Sequence, residues 1–479
     1  MTLSATLATA GQSLTRAALQ SGMIARNIAG ADQPGYARRS VAMGAAEIAR
    51  DPRPVIARAI NDQLRNGLRT ALADKARQEV LSTKVDLLDA AVNAGQTPGV
   101  LEAATARLKT SLQAFAEDPA QPAFATEAVE AARGLAKTFN EVSSAIVEAR
   151  RVADREIQDA VRGVNERLER LANINASIVS AQSGGSADLQ DARDQILDEL
   201  SGEIGIRILQ RPDRTIGLIA DNGAVLLDRE AHFLTFTARE TFLPSTDGAA
   251  IFVDGVDATS AISTMRLGSG RLAGLAAWRD DELAMFQTKI DDAANNLIEA
   301  FSESSRTSAP PGMKRPGLFV ASSDAVIPEG ATRGLAAAIR LNPRADPALD
   351  GNPFGLRDGG IAASGTDYVS NLSGDPSFHD RLDELLNRFS LSSGGGPGID
   401  QVTAAFSANL RTAGTQASAD LQRDAFQTAS LTDALRSSVG VDLDRQMEQM
   451  LSIEHSYQAS AKLLATTDSL LQDLIRMLD

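Results

Sequence analysis

Residues 123–183 constrain this chain most. Phe139, Val142, Ile146, Ala149, Ala153, Ile157, Val161, Val164, Leu168, Leu171, Ile174 and Ile178 recur there at spacings of three and four. Such a stripe predicts one long helix, and a helix of this length needs an apolar partner along its whole extent. A rod-like antiparallel bundle supplies one. The palette agrees, because 43% of residues are hydrophobic but only 4% aromatic, so Ala, Leu, Ile and Val must fill the core. Such a composition suits helix seams better than ring-lined ligand pockets.

Around this helix the pattern is regular. Residues 54–93 read as helix, the chain breaks at Pro98-Gly99, helix resumes to Glu117, and a second break falls at Pro119 and Pro122. A further helix is expected over 187–200, after Gly184-Gly185. From Gly202 the sequence turns β-branched and turn-rich, with strands expected at 206–209, 215–219, 224–227, 233–236 and 251–253. Helix returns over 272–303, a Pro- and Gly-rich stretch at 309–360 reads as irregular, and helices resume near Ser377 and run from 399 to 437 beyond a Gly-rich linker at 392–398.

The length of 479 residues allows two to four packed regions. The expected fold class is mainly α with an inserted β domain, an α+β chain with terminal coiled-coil helices. Its parts are a terminal helical core from 1–50 and 438–479, disordered in the monomer; an elongated helical-bundle rod domain from 51–201, 272–305 and 377–437; a small β-rich outer domain at 202–271; and an irregular or β segment at 306–376.

The two ends carry matching seams. Leu3, Leu7, Ala10, Leu14, Ala17, Ser21, Ile24 and Ile28 keep a 3-4 alternation, which stops at Gly30 and the Pro34-Gly35 turn before Tyr36. The last helix repeats the pattern with Leu443, Met447, Met450, Tyr457, Ala461, Leu464, Leu471, Ile475 and Leu478. Residues 1–46 hold four Arg against Asp32, a net +3, while 440–479 hold seven acids against three bases, a net −4. Isolated amphipathic helices are marginal in water, so both ends are expected to order on mutual or intermolecular packing.

Other chemistry is weakly indicated. With a net charge of −15 and no basic stripe interleaved with aromatics, nucleic acid is not expected as a partner. No cysteine is present, which removes disulfides and thiolate metal sites. The first residues lack a basic n-region and a continuous apolar core, so no cleaved signal peptide is expected, and no run is long enough to span a membrane. His232, His379 and His455 have no second ligand at metal spacing, and Asp280-Asp281 and Asp291-Asp292 read as solvated helix faces. Gly268 to Gly274 misses the spacing of a phosphate loop and reads as a turn into a helix. No catalytic residue, metal ligand or cofactor is expected, and the chain does not read as an enzyme.

Asn27, Ile28, Ala29, Pro34, Gly35 and Tyr36 match a motif at the amino end of bacterial flagellar axial proteins, with Gly30, Asp32 and Gln33 replacing its usual Asn, Asn and Thr. Further along, 186–201 followed by Ile204-Gly-Ile-Arg-Ile208 resembles the helix-to-strand junction of the hook-associated protein 1 family. Residues 270–283 resemble that family's return into its helical domain, and 439–447 with 456–462 resemble its last helix. The resemblance implies a structural subunit joining hook to filament in the extracellular flagellum. It further implies type III export, a ring of like subunits, contact with hook protein and the second junction protein, and an export chaperone on about 440–479. Another axial protein, of rod, hook or second-junction type, is the nearest alternative, and a cytoplasmic helical scaffold a more distant one.

Overall fold

The computed structural model describes residues 3–33, 36–43, 54–93, 99–180, 186–260, 263–307, 312–321, 327, 332–391 and 397–478; Pro34 and Gly35 of the turn motif lie outside them. The chain opens with α1 (Leu3–Gly30), followed by β1 (Arg39–Met43) and β2 (Pro54–Arg58). Next come α2 (Asp62–Asn93), α3 (Val100–Glu117), α4 (Pro122–Ser180) and α5 (Ser186–Glu203). Strands β3 (Ile206–Gln210), β4 (Ile216–Ala220), β5 (Val225–Leu227), β6 (Leu234–Thr235), β7 (Phe252–Val253) and β8 (Val256–Asp257) form two three-stranded antiparallel sheets, ordered β3-β4-β5 and β6-β7-β8.

The return into helix begins with α6 (Arg271–Ala277), continues through a π-helical turn at Trp278–Glu282 and ends in α7 (Leu283–Ala300). Short two-stranded pairs follow, β9 (Glu303–Ser304) with β10 (Lys314–Arg315) and β11 (Phe319–Val320) with β12 (Arg340–Leu341); α8 (Leu335–Ala338) precedes β12. Last come α9 (Gly355–Asp358), α10 (Asp380–Ser390), α11 (Ile399–Val439) and α12 (Leu443–Leu478). The fold is mainly α with inserted β structure.

At 59 residues, α4 is about 90 Å long, and its stripe serves two cores in succession. Ala125 to Ala153 pack with α3, α7 and α8 in a core that extends to α10 and α11, while Ile157 to Leu171 pack with α5, α6 and the sheets β3–β5 and β6–β8. The stripe also carries polar rungs. Asn165 donates to the Leu234 carbonyl at 2.9 Å and accepts from its N–H at 2.8 Å, as a neighbouring strand would. Asn175 does the same for Ile216, and Asn140 donates to the carbonyls of Ala336 and Ile339. These side chains pair backbone groups that the apolar stripe would leave orphaned.

One expectation is corrected. Residues 54–58 are not the start of a helix but strand β2, paired antiparallel with β1 from Arg39↔Arg58 to Met43↔Pro54. Pro54 is tolerated as a first strand residue, and Val55-Ile56 favour extended backbone. The helix starts only at Asp62, where the Asn61 carboxamide accepts the N–H of Leu64 at 3.2 Å and caps it.

The segment 268–274 is a turn into α6. Gly270 holds φ 89°, and a Cβ there would lie 2.6 Å from the Cα of Ile204, so only glycine fits. The π-helical turn then buries Trp278 and Arg279 side by side. Arg279 pairs with buried Asp154 of α4, donates to the Ala249 carbonyl at 2.6 Å and holds Asp280 at 2.7 Å. Removing one member of such a buried pair strands the other charge. Asp154→Ala is expected to cost about 3–5 kcal/mol, read as a lower urea midpoint with an unchanged slope.

Candidate assembly site

Helices α1 and α12 lie antiparallel along each other. Ser13 meets Ser460 at 3.0 Å, Ser21 donates to the Met450 sulfur at 3.5 Å, and Asn27 donates to Gln446 at 2.9 Å. Small residues make this approach possible, since Ala10 and Ala17 are the buried rungs of α1 in its first half, with Met23 and Ile24 following. The charge difference between the two ends is not expressed as ion pairs here, since among the described residues none joins the helices. The pairing is seen in the single chain.

Asn27 is the centre of the junction. Its amide donates to the Arg39 carbonyl and to Gln446, each at 2.9 Å, while its carbonyl accepts from the Tyr36 hydroxyl at 2.9 Å and the Arg39 N–H at 3.0 Å. Both donors and both acceptor sites are thereby used, and the residue is 1% exposed. The Tyr36 ring lies over Gly30, where a Cβ would approach it to 2.6 Å. A side chain at position 30 would displace the ring from this place. The Arg39 guanidinium covers the ring at 5.0 Å, and the Arg38 N–H donates to the Val439 carbonyl at 2.9 Å. Helix α1, strand β1 and the end of α11 therefore meet at one point.

A charge ladder ties this point to the bundle. Asp188, Asp191, Asp194 and Asp198 fall on one face of α5, at steps of three, three and four. Arg39 reaches Asp188 and Asp191 at 2.6 Å each, and Arg58 reaches Asp191 at 2.7 Å and Asp194 at 2.5 Å. From α2, Arg65 meets Asp194 at 2.8 Å, while Arg69 meets Asp194 at 3.1 Å and Asp198 at 2.7 Å. Burial pushes the Asp194 carboxyl up, but Arg65, Arg58 and Arg69 outweigh it and hold the group below its ordinary value. For Asp198 burial prevails over Arg69 and Arg65, and its carboxyl is raised.

Of the seam residues named from sequence, Ile24 and Asn27 are buried, Leu14, Tyr36, Met450, Ala461 and Leu464 are half-buried, and Leu7, Ile28, Ala29, Leu443, Met447 and Tyr457 are exposed. Leu3, Leu471, Ile475 and Leu478 lie within the two helices, their side chains outside the described set. Instead, Gln446 and Thr467 are the buried positions of α12 among its described side chains. Sequence reading missed Gln446, the four Arg and the four Asp. The regular Asp spacing between 188 and 198 was the available signal.

Residues 86–309 match the family described as flagellar hook-associated protein FlgK helical domain, and 435–477 match the flagellar basal body rod FlgEFG protein C-terminal family. Over this helical domain the chain is similar to flagellar hook-associated protein 1. Flagellar hook-associated protein 1 of Salmonella typhimurium is 25% identical over 202 residues, 40% of this chain and 35% of that protein. The Escherichia coli hook-associated protein 1 is 23% identical over 197 residues, 40% of this chain and 36% of that protein. The matched stretch thus spans about a third of these relatives' length. The flagellar hook junction protein FlgK from Burkholderia pseudomallei has a similar fold, with a TM-score of 0.58 at 13% identity over 78% of this chain and all of that one. The rod-protein match alone would fit any axial protein; the helical-domain match separates hook-associated protein 1 from rod and hook subunits.

Two outcomes test the junction. Asn27→Ala removes the Asn27 partner of the Tyr36 hydroxyl, the Arg39 main chain and the Gln446 carboxamide oxygen and is expected to destabilise the α1–α12 pair by about 1–3 kcal/mol, read as loss of amide exchange protection in α1 while α4 stays protected. For the ladder, Asp194, lowered on folding, contributes stability that is full above the ordinary carboxylate value near about 4 and is lost as pH falls through its folded value. Asp198, raised on folding, has the opposite sign, its protonation favouring the fold. In melts between pH 7 and 3, Asp194→Asn is therefore expected to be less stable at pH 7 and to flatten the acid limb, whereas Asp198→Asn loses less at pH 7.

Proposed function

We propose that this chain is a structural, non-enzymatic subunit of the extracellular bacterial flagellum, joining hook to filament. It assembles through its terminal helices after type III export without a cleaved signal peptide. Its partners are a ring of like subunits, hook protein on one side and the second junction protein on the other, with an export chaperone holding α12 before secretion. The supporting observation is the excess of apolar surface on α12. Its partner α1 covers the face bearing Gln446, Met450, Ala461 and Leu464, yet Leu443, Met447 and Leu451 recur every four residues on a second strip, and Leu463, Leu470 and Met477 every seven on a third. Leu451 is 57% exposed and Leu470 56%. A helix apolar on more faces than one partner covers is built for further packing. α1 adds exposed Leu7, Leu19 and Ile28.

The domain division follows the same reading. The terminal core, 1–50 with 438–479, is the part that packs on neighbouring copies, the helical segments form the rod, and 202–271 face outward. Two described features support this separation: the two large cores contain no residue of α1 or α12, and α12 is largely exposed.

Removing residues 443–479 is expected to preserve cooperative melting of the bundle and to abolish incorporation into flagella sheared from motile cells. Leu463→Asn, Leu470→Asn and Met477→Gln together are expected to leave the monomer fold unchanged and still prevent incorporation. Normal incorporation of that triple variant, measured by immunoblot of sheared flagella, would refute the role assigned to α12.

A further inference from the structure

We propose that the cleft between β2, the first turns of α2, α5 and the β3–β4 turn is a binding site for a phosphate-class oxyanion. The cleft encloses about 320 Å³ and is lined by Arg58, Arg65, Arg69, Arg193, Arg211 and Arg214, against only two carboxylates, Asp62 and Asp194. In a chain of net charge −15 this is an unusual concentration of positive groups.

Several of these charges are already matched. Asp194 is shared by Arg58, Arg65 and Arg69, Asp62 accepts from Gln210 at 2.9 Å, and Arg211 pairs with Asp228. Arg193 and Arg214 remain, and among the described residues neither has a carboxylate partner. The Arg193 Nη1 donates to the Arg214 carbonyl at 3.0 Å, which ties the two together, while its Nε is buried without an acceptor. Burial holds the Arg193 guanidinium below its ordinary value, and an anion in the cleft would offset that cost.

Arg214 points the same way. It holds φ 69° at the tip of the β3–β4 turn, in the left-handed region where Gly or Asn is easier. The turn is closed by the Arg214 N–H on the Arg211 carbonyl and the Arg211 N–H on the Thr215 carbonyl, each at 3.1 Å. A strained arginine at the mouth of an arginine-lined cleft marks a side chain kept for its charge. Guanidinium forks fit the oxygen edges of phosphate, and the space admits inorganic phosphate or pyrophosphate.

Isothermal titration calorimetry on the full chain at constant ionic strength tests this, with pyrophosphate and inorganic phosphate as probes and chloride as control. One saturable site per chain is expected for pyrophosphate, weakened roughly tenfold or more in Arg193→Gln and in Arg214→Gln, and unchanged in Arg162→Gln on the far helix face. Arg214 is exposed, so its variant decides the matter even if Arg193→Gln fails to fold. Absence of saturable heat beyond the chloride control, or unchanged affinity in Arg214→Gln, would overturn the site. Neither result bears on flagellar assembly, since no residue of the cleft lies in α1 or α12.

Discussion

One apolar stripe holds the molecule together, because both large cores are laid along α4. The first core sets α3, α7 and α8 against its leading half, with α10 and α11 packed behind α3 and α7, and the second sets α5, α6 and the sheets against its trailing half. Neither the β6–β8 strands, two residues each, nor the pair β3–β4 could stand alone. They are stable because α4 offers an apolar face and, in Asn165 and Asn175, side chains that complete their backbone hydrogen bonds. Lengthening the rod in this way lets one element position structures far apart along it.

Attachment of the terminal helices follows a different physical rule. The contact made by α1, β1 and β2 with the bundle is mostly ionic, with Arg39 and Arg58 fastened to the Asp face of α5. The apolar cluster beneath it is small, centred on Leu68, Leu435 and Val439. Ion pairs and hydrogen bonds are directional where apolar burial is not, so the ladder fixes the angle at which the terminal pair leaves the bundle. Asn27 does the same within the pair. One of its four hydrogen bonds, to Gln446, sets the register of α1 against α12, while the other three hold Tyr36 and Arg39 to α1.

Periodicity made the bundle legible and left the junction largely dark. The stripe from Phe139 to Ile178 located the long helix to within a few residues, and the β-branched, turn-rich sequence after Gly202 marked the strands, because both are local patterns. Strand β2 escaped notice because its partner β1 lies across an intervening segment and pairing is not a local property. The seam of α12 illustrates the other limit. A heptad reading counts apolar residues, but the face turned to α1 buries Gln446 and Thr467 while Leu443, Met447 and Tyr457 stay outside. Asn27 was visible as part of a motif, yet its role depends on Gln446, more than four hundred residues away.

The polar seam and the apolar exterior of α12 explain each other. If its most hydrophobic strip faced α1, the pair would satisfy itself and present little to a neighbour. By holding α1 through Asn27–Gln446 and Ser13–Ser460, α12 uses its weaker face internally and keeps Leu451, Leu463, Leu470 and Met477 in water. Exposed apolar surface on that scale is costly for a solitary chain and raises the free energy gained when copies pack. Under the proposed assembly, a helix so arranged would favour association over isolation, and the hydrogen-bonded register with α1 would have every copy present the same strips in the same order. Regular assembly requires that sameness more than it requires strength in any one contact.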